Sequence, residues 1–257
     1  MKVRKVLADS IRFYVRNCWR LVPPAVVLAA LPASPILLKP GPVGEGIAAL
    51  LALPIMFVLQ ALHVVESAEV REGRPRPVWK SLADLRPSLK PLLLMMLLAT
   101  IRVIVYLAVF AVALYEALVH QSKGWLIGIL VALVLGFVYL VARWSLLVPV
   151  IVLEGVSARK SFKRCGRLVG RRVLRVAAVV FIGSVVYGIV DVLSLLAIRV
   201  SVSDEAGRAF AEKLVSEPLT APFLALLGTT VYFTLRDERG AGGLTPRLVP
   251  ATARLRP

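Results

Sequence analysis

The chain has 257 residues, 58% of them hydrophobic, with a mean hydropathy of +0.81 and a formal net charge of +17. Soluble domains run at roughly 45–50% apolar, and here the excess lies in long runs with few charges, so the composition excludes a large soluble domain and predicts membrane spans. The basic residues alternate with these runs, as loops beside anionic lipid do, and no RNA- or DNA-binding motif is present, which argues against a nucleic-acid partner.

The expected fold is all-α: a polytopic membrane protein of about six helices, each preceded or paired by regularly placed basic segments. Residues 3–18 form a first amphipathic stretch, with Val3, Leu7, Ile11, Tyr14 and Cys18 on one face. A helix with one apolar stripe and a basic face lies flat at the headgroup level, so this is read as an elbow helix leading into a span. The first span covers 19–38. The basic-then-apolar start, ending at Ala30-Leu31-Pro32-Ala33-Ser34, has the outline of a signal peptide, but its basic region is long and patterned and it reads as a retained span. The second span is 46–69. A second elbow at 77–90 carries Val78, Leu82, Leu85 and Leu89 and leads to spans 91–118 and 124–153. A third at 157–172, with Phe162, Cys165 and Val169 on its apolar face, leads to spans 173–198 and 219–236. Between the last two, 203–217 reads as a short surface helix capped by Ser203. Residues 1–239 thus form one six-span domain, and 240–257, rich in Gly, Pro and Arg, reads as a disordered tail.

The units repeat as elbow, span, span. Lys80-Ser81-Leu82 and Lys160-Ser161-Phe162 sit one period apart, and Ser10-Ile11 falls near the matching place in the first unit, which suggests a threefold repeat. Cations crowd one set of flanks, from Lys2 to Arg20, Arg71 to Lys90 and Arg159 to Arg175. The opposite flanks hold Lys39, Lys123 and a mixed segment with Asp204 and Glu217. The positive-inside rule then puts both termini in the cytoplasm and the chain in the cytoplasmic (inner) membrane. Cys18 and Cys165 fall on the cytoplasmic side, where thiols stay reduced.

Ionisable groups inside spans are the best pointers to a site. Arg102 and Arg143 reach a similar mid-depth from the same side, while Gln60, His63 and Glu66 descend the second span and Tyr232 lies in the inner half of the sixth. Together they form a candidate anion or headgroup site, since guanidinium forks match phosphate and carboxylate. The alternative is that Arg102 or Arg143 pairs with Glu66 and fixes packing. Lys160, Lys163, Arg164, Arg167, Arg171 and Arg172 on the third elbow are expected to touch phospholipid heads. Glu116 and Asp191 lie nearer the outer face and could pair with each other. His63 and His120 sit at different depths with no third ligand, so no metal site is expected. No catalytic constellation and no cofactor motif is present. Gly124, Gly128, Ala132 and Gly136 recur along the fourth span, a stripe suited to close helix packing, and Pro54, Pro149 and Pro222 are candidate kinks.

Two stretches carry a family resemblance: Arg143-Trp144-Ser145-Leu146-Leu147-Val148-Pro149-Val150-Ile151-Val152-Leu153-Glu154-Gly155, continuing to Arg172 and Val173, and Thr229-Thr230-Val231-Tyr232-Phe233-Thr234-Leu235-Arg236. They resemble the membrane-domain family named after the glycerophosphodiester phosphodiesterase membrane domain. The resemblance implies a six-span architecture. In some relatives this part is fused to a soluble phosphodiesterase barrel, which the tail after Arg236 is too short to contain, so the family name implies no activity here. Within the motif Arg143, Glu154, Tyr232 and Arg236 are the positions to test. The expected function is a non-enzymatic integral membrane protein that binds or organises anionic lipid, through its headgroups, or supports a membrane protein partner; the alternative is a transporter, or transporter subunit, for a small anion or lipid.

Overall fold

The computed structural model describes residues 2–38, 42–73, 77–120 and 123–238; the tail expected at 240–257 lies outside them. The described residues are helical throughout, with no strand among them. The helices are α1 (Val3–Leu38), α2 (Pro42–Arg71), α3 (Val78–Val119), α4 (Lys123–Trp144), α5 (Leu147–Glu154), α6 (Ala158–Val169), α7 (Val173–Ser201) and α8 (Glu205–Asp237), with a 3-10 turn at Gly170–Arg172 joining α6 to α7. Three stretches, Val78–Val119, Gly124–Glu154 and Ala158–Ser201, contain windows long and apolar enough to cross a bilayer.

The elbows differ from one another. In α1 and α3 the basic amphipathic part runs straight into the apolar part, and α3 continues through Pro87 and Pro91. No glycine stop separates the two parts in either case. Only the third elbow is a helix of its own, because Gly170 (φ 49°, ψ −127°) ends α6 in a conformation that favours glycine. The segment expected as a surface helix at 203–217 is likewise the start of one long α8. Its cap is Asp204 rather than Ser203: the Asp204 carboxylate accepts from the Gly207 N–H at 2.6 Å.

The fourth span breaks where proline forbids its continuation. Pro149 has no N–H to donate to Ser145, and its ring would crowd the Ser145 carbonyl. The α-helix stops at Trp144 and restarts as α5, in which every residue from Leu147 to Leu153 is buried. Gly155 then adopts left-handed backbone (φ 63°) and returns its N–H to Ile151 O at 3.0 Å. That turn sends α6 back along the bundle.

The buried core lies at the end of the bundle where α5 and α6 meet α2, α3 and α8. It takes in Ala61, Leu62, Val64 and Val65 of α2, Leu85, Leu92 and Met95 of α3, all of α5's apolar face, and Leu227, Val231, Tyr232 and Leu235 of α8. On α3 the buried positions Ser81, Leu85, Ser88, Leu92 and Met95 follow a four-three spacing, which is one helical face. Beyond this region the helices turn apolar side chains outward: Ile104, Val109 and Val112 on α3, Ile127, Val134 and Phe137 on α4, Phe181, Ile189 and Leu193 on α7. Ser10, Ser81 and Ser161, the positions matched between the three sequence units, are all fully buried.

The small-residue stripe of α4 packs only at one end. Tyr106 of α3 lies over Gly136 and donates to Leu133 O at 2.5 Å, whereas a side chain on Gly124 or Gly128 would meet open space. The approach to backbone is on α8, where a Cβ on Gly228 would lie 2.9 Å from the Ser145 carbonyl oxygen freed by the break. Backbone cannot yield as a side chain can, so Gly228→Ala is expected to cost about 1–3 kcal/mol, read as a lowered thermal midpoint in detergent. Gly124→Ala should leave that midpoint unchanged or raise it slightly; equal effects at both positions would contradict this packing.

Candidate functional site

Helix α6 is the element around which the polar residues gather. Its buried stripe is Ala158, Ser161, Cys165, Leu168 and Val169, while Arg159, Lys160, Lys163 and Arg167 are exposed. The strong segregation of faces lets one side seal the core while the other stays charged.

One flank of α6 meets the two mid-span arginines. The Arg102 guanidinium of α3 lies over the Phe162 ring, 3.8 Å from its centroid. Arg143, in the last turn of α4, reaches the same flank: a Cβ on Gly166 would overlap its guanidinium, so the bare glycine is what admits it. Its Nη1 also donates to the hydroxyl of Tyr139, one turn earlier, whose ring lies 5.0 Å away. Phe162 and Gly166 are one helical turn apart, about 6 Å along the axis, so both guanidiniums share one stripe. Arg159 neighbours Phe162, and Lys163 neighbours Gly166, each at i,i+3 spacing. Among the described residues none of these cations has a carboxylate within ion-pair distance.

The other flank is neutralised. Arg164 Nε donates to both oxygens of Glu154, at 2.8 and 3.2 Å, and the Tyr232 hydroxyl donates to Glu154 Oε1 at 3.0 Å. Glu154 thereby joins α5, α6 and α8. Arg164, expected to touch phospholipid heads, is engaged by Glu154 and remains partly exposed. Arg172 is also taken up, by Glu238. Lys160, Lys163, Arg167 and Arg171 remain exposed. Between the flanks, Cys165 is buried on α6.

The predicted cluster is divided in space. Glu66 does not meet either arginine: His63 Nδ1 lies 3.2 Å from Glu66 Oε2 on α2, and both residues are buried. Gln60 is partly buried on the same helix. Nearby, the Ser81 hydroxyl of α3 donates to Glu69 at 3.1 Å. Tyr232 joins Glu154 rather than the arginines. Arg236 and Arg71 both lie against the Phe233 ring, at 5.0 and 4.5 Å, and Arg71 is 3.7 Å from Asp237. At the far end of α3, Glu116 lies 3.6 Å from His120, its neighbour on the same helix. The sequence reading missed Phe162, Gly166 and Tyr139 as parts of the site; Tyr139, one turn before Arg143, was the accessible signal.

Residues 116–232 match the family model described as the membrane domain of glycerophosphoryl diester phosphodiesterase. Over those residues, a little under half of the chain, it is similar to that membrane-domain family. The match runs from α4 through α7 into most of α8 and includes Arg143, Glu154, Gly166 and Tyr232, while Arg102 and Arg236 lie outside it. With three apolar stretches long enough to cross a bilayer, the chain is a membrane protein. No curated protein and no solved structure matches it.

The Glu154 junction should act as a latch for α6. Tyr232→Phe is expected to cost about 1 kcal/mol and Glu154→Gln more, since it leaves Arg164 without its carboxylate. Maleimide labelling reads the result: in the parent protein Cys18 reacts and Cys165 does not, whereas Glu154→Gln makes Cys165 reactive. Cys165 labelling at an unchanged rate in that variant would show that the junction does not hold α6.

Proposed function

We propose that this membrane domain is a non-enzymatic binder of anionic lipid, with the headgroup held on the α6 flank by Arg102 and Arg143. The observation that carries the reading is their convergence on Phe162 and Gly166 without a carboxylate partner among the described residues. Fixed cations left unneutralised beside apolar surface suit an anionic group supplied by lipid. The exposed cations Lys160, Lys163 and Arg167 of α6 and Arg171 of the 3-10 turn add a diffuse attraction to the same surface.

This reading takes the whole chain as six spans in the cytoplasmic membrane, with α1, α2 and α8 crossing beside the three apolar stretches and both termini cytoplasmic. The one-sided distribution of cations supports it. The complete burial of Ser10, Ser81 and Ser161 supports a threefold repeat. A transporter for a small anion or lipid needs a polar route from the arginines to the outer carboxylates; Glu116 is engaged by His120 on its own helix, which favours the binding role. Support of a membrane protein partner is compatible with the same lipid-bearing face.

Native mass spectrometry of the protein released gently from its own membrane tests the proposal. A retained anionic lipid, lost in the Arg102→Ala, Arg143→Ala double variant and kept in Lys160→Ala, is the expected result. Unchanged retention in the double variant would remove the α6 site from the account, and a co-purifying protein in place of lipid would favour the partner role.

A further inference from the structure

We infer that the α6 flank selects a phosphomonoester over a phosphodiester. The inference rests on the anionic-lipid reading and names the headgroup chemistry of that site. Arg102 and Arg143 approach the stripe from two helices, one over Phe162 and the other over Gly166, about one turn apart. Each guanidinium presents a planar fork that engages a pair of oxygens. A phosphodiester has two terminal oxygens, which satisfy a single fork. A phosphomonoester has three, so two forks can each take a pair and share the oxygen between them.

Charge points the same way. A phosphodiester carries one negative charge, whereas a monoester carries about −1.5 to −2 at neutral pH. Arg102, Arg143, Arg159 and Lys163 border the stripe, with no carboxylate at ion-pair distance among the described residues. The more highly charged group leaves less of that positive charge unmatched. Gly166 admits the Arg143 guanidinium to the stripe, because no side chain stands there.

The test uses the full chain in phosphatidylcholine nanodiscs containing equal small amounts of phosphatidic acid and phosphatidylglycerol with the same acyl chains. Lipids retained after detergent exchange are quantified. Phosphatidic acid should be enriched about tenfold over phosphatidylglycerol, the factor that one further charge-assisted hydrogen bond supplies. The enrichment should fall as pH drops below about 6, where the monoester takes up its second proton. The Arg102→Lys, Arg143→Lys variant keeps the charge without the forks and should retain both lipids with the preference cut to the smaller part that charge alone supplies. Equal retention of the two lipids by the parent overturns the inference and leaves the anionic-lipid reading standing. Retention of neither above phosphatidylcholine removes both. A preference that survives the lysine variant undiminished also overturns it, since charge alone would then suffice. Excess inorganic phosphate separates two sources of the same chemistry: displacement of the lipid assigns the site to a soluble monoester, and retention assigns it to the lipid.

Discussion

The Glu154 carboxylate is the interaction on which the site depends. It closes α5, receives Arg164 from α6 and Tyr232 from α8, and so fixes three helices at one point. Its position follows from two residues on either side. Pro149 stops the fourth span from continuing as a regular helix, and Gly155 reverses the chain directly after the carboxylate. With α6 held there, its opposite flank is presented to Arg102 and Arg143. Without that latch, the buried apolar stripe of α6 alone would hold it against the core.

The arginines of this end fall into two groups. Arg164 and Arg172 have carboxylate partners, and Arg71 approaches Asp237. These are structural pairings, partly exposed and of modest energy each. Arg102 and Arg143 instead lie against an aromatic ring, a tyrosine hydroxyl and a glycine. Stacking on a ring orients a guanidinium and leaves its N–H edges available. The same residue type therefore pairs with carboxylates on one flank of α6 and, in the proposed function, recognises an anion on the other.

Much of the architecture was legible in the sequence because the bilayer imposes it. Apolar runs gave the all-helical class, and the stripe of Phe162, Cys165 and Val169 located α6. Counting residues from one side placed Arg102 and Arg143 at a common level, where α6 now joins them. What counting could not supply was azimuth. His63 and Glu66 share a depth range with the arginines but point into the α2 core, so the predicted cluster divides. Nor could composition tell a separate elbow from a continuous helix: residues 3–18 and 77–90 have the same amphipathic pattern as 157–172, yet only the last ends at a glycine with positive φ. Gly166 was silent because a glycine within a helix has no pattern of its own; its role is defined by the side chain from another helix that fills its place. The stripe at Gly124 and Gly128 shows the converse, a packing pattern that meets open space.

The central claim is that lipid phosphate sits between the two guanidiniums at Gly166. Solid-state NMR recoupling between lipid phosphorus and arginine side-chain nitrogen, on the protein in anionic bilayers, measures that directly. The account predicts a phosphorus–nitrogen contact within about 4 Å, the range of a charge-assisted hydrogen bond, assigned to Arg102 and Arg143 and absent when both are alanine. Contacts confined to surface arginines such as Arg167 and Arg171, with Arg102 and Arg143 silent, would contradict it.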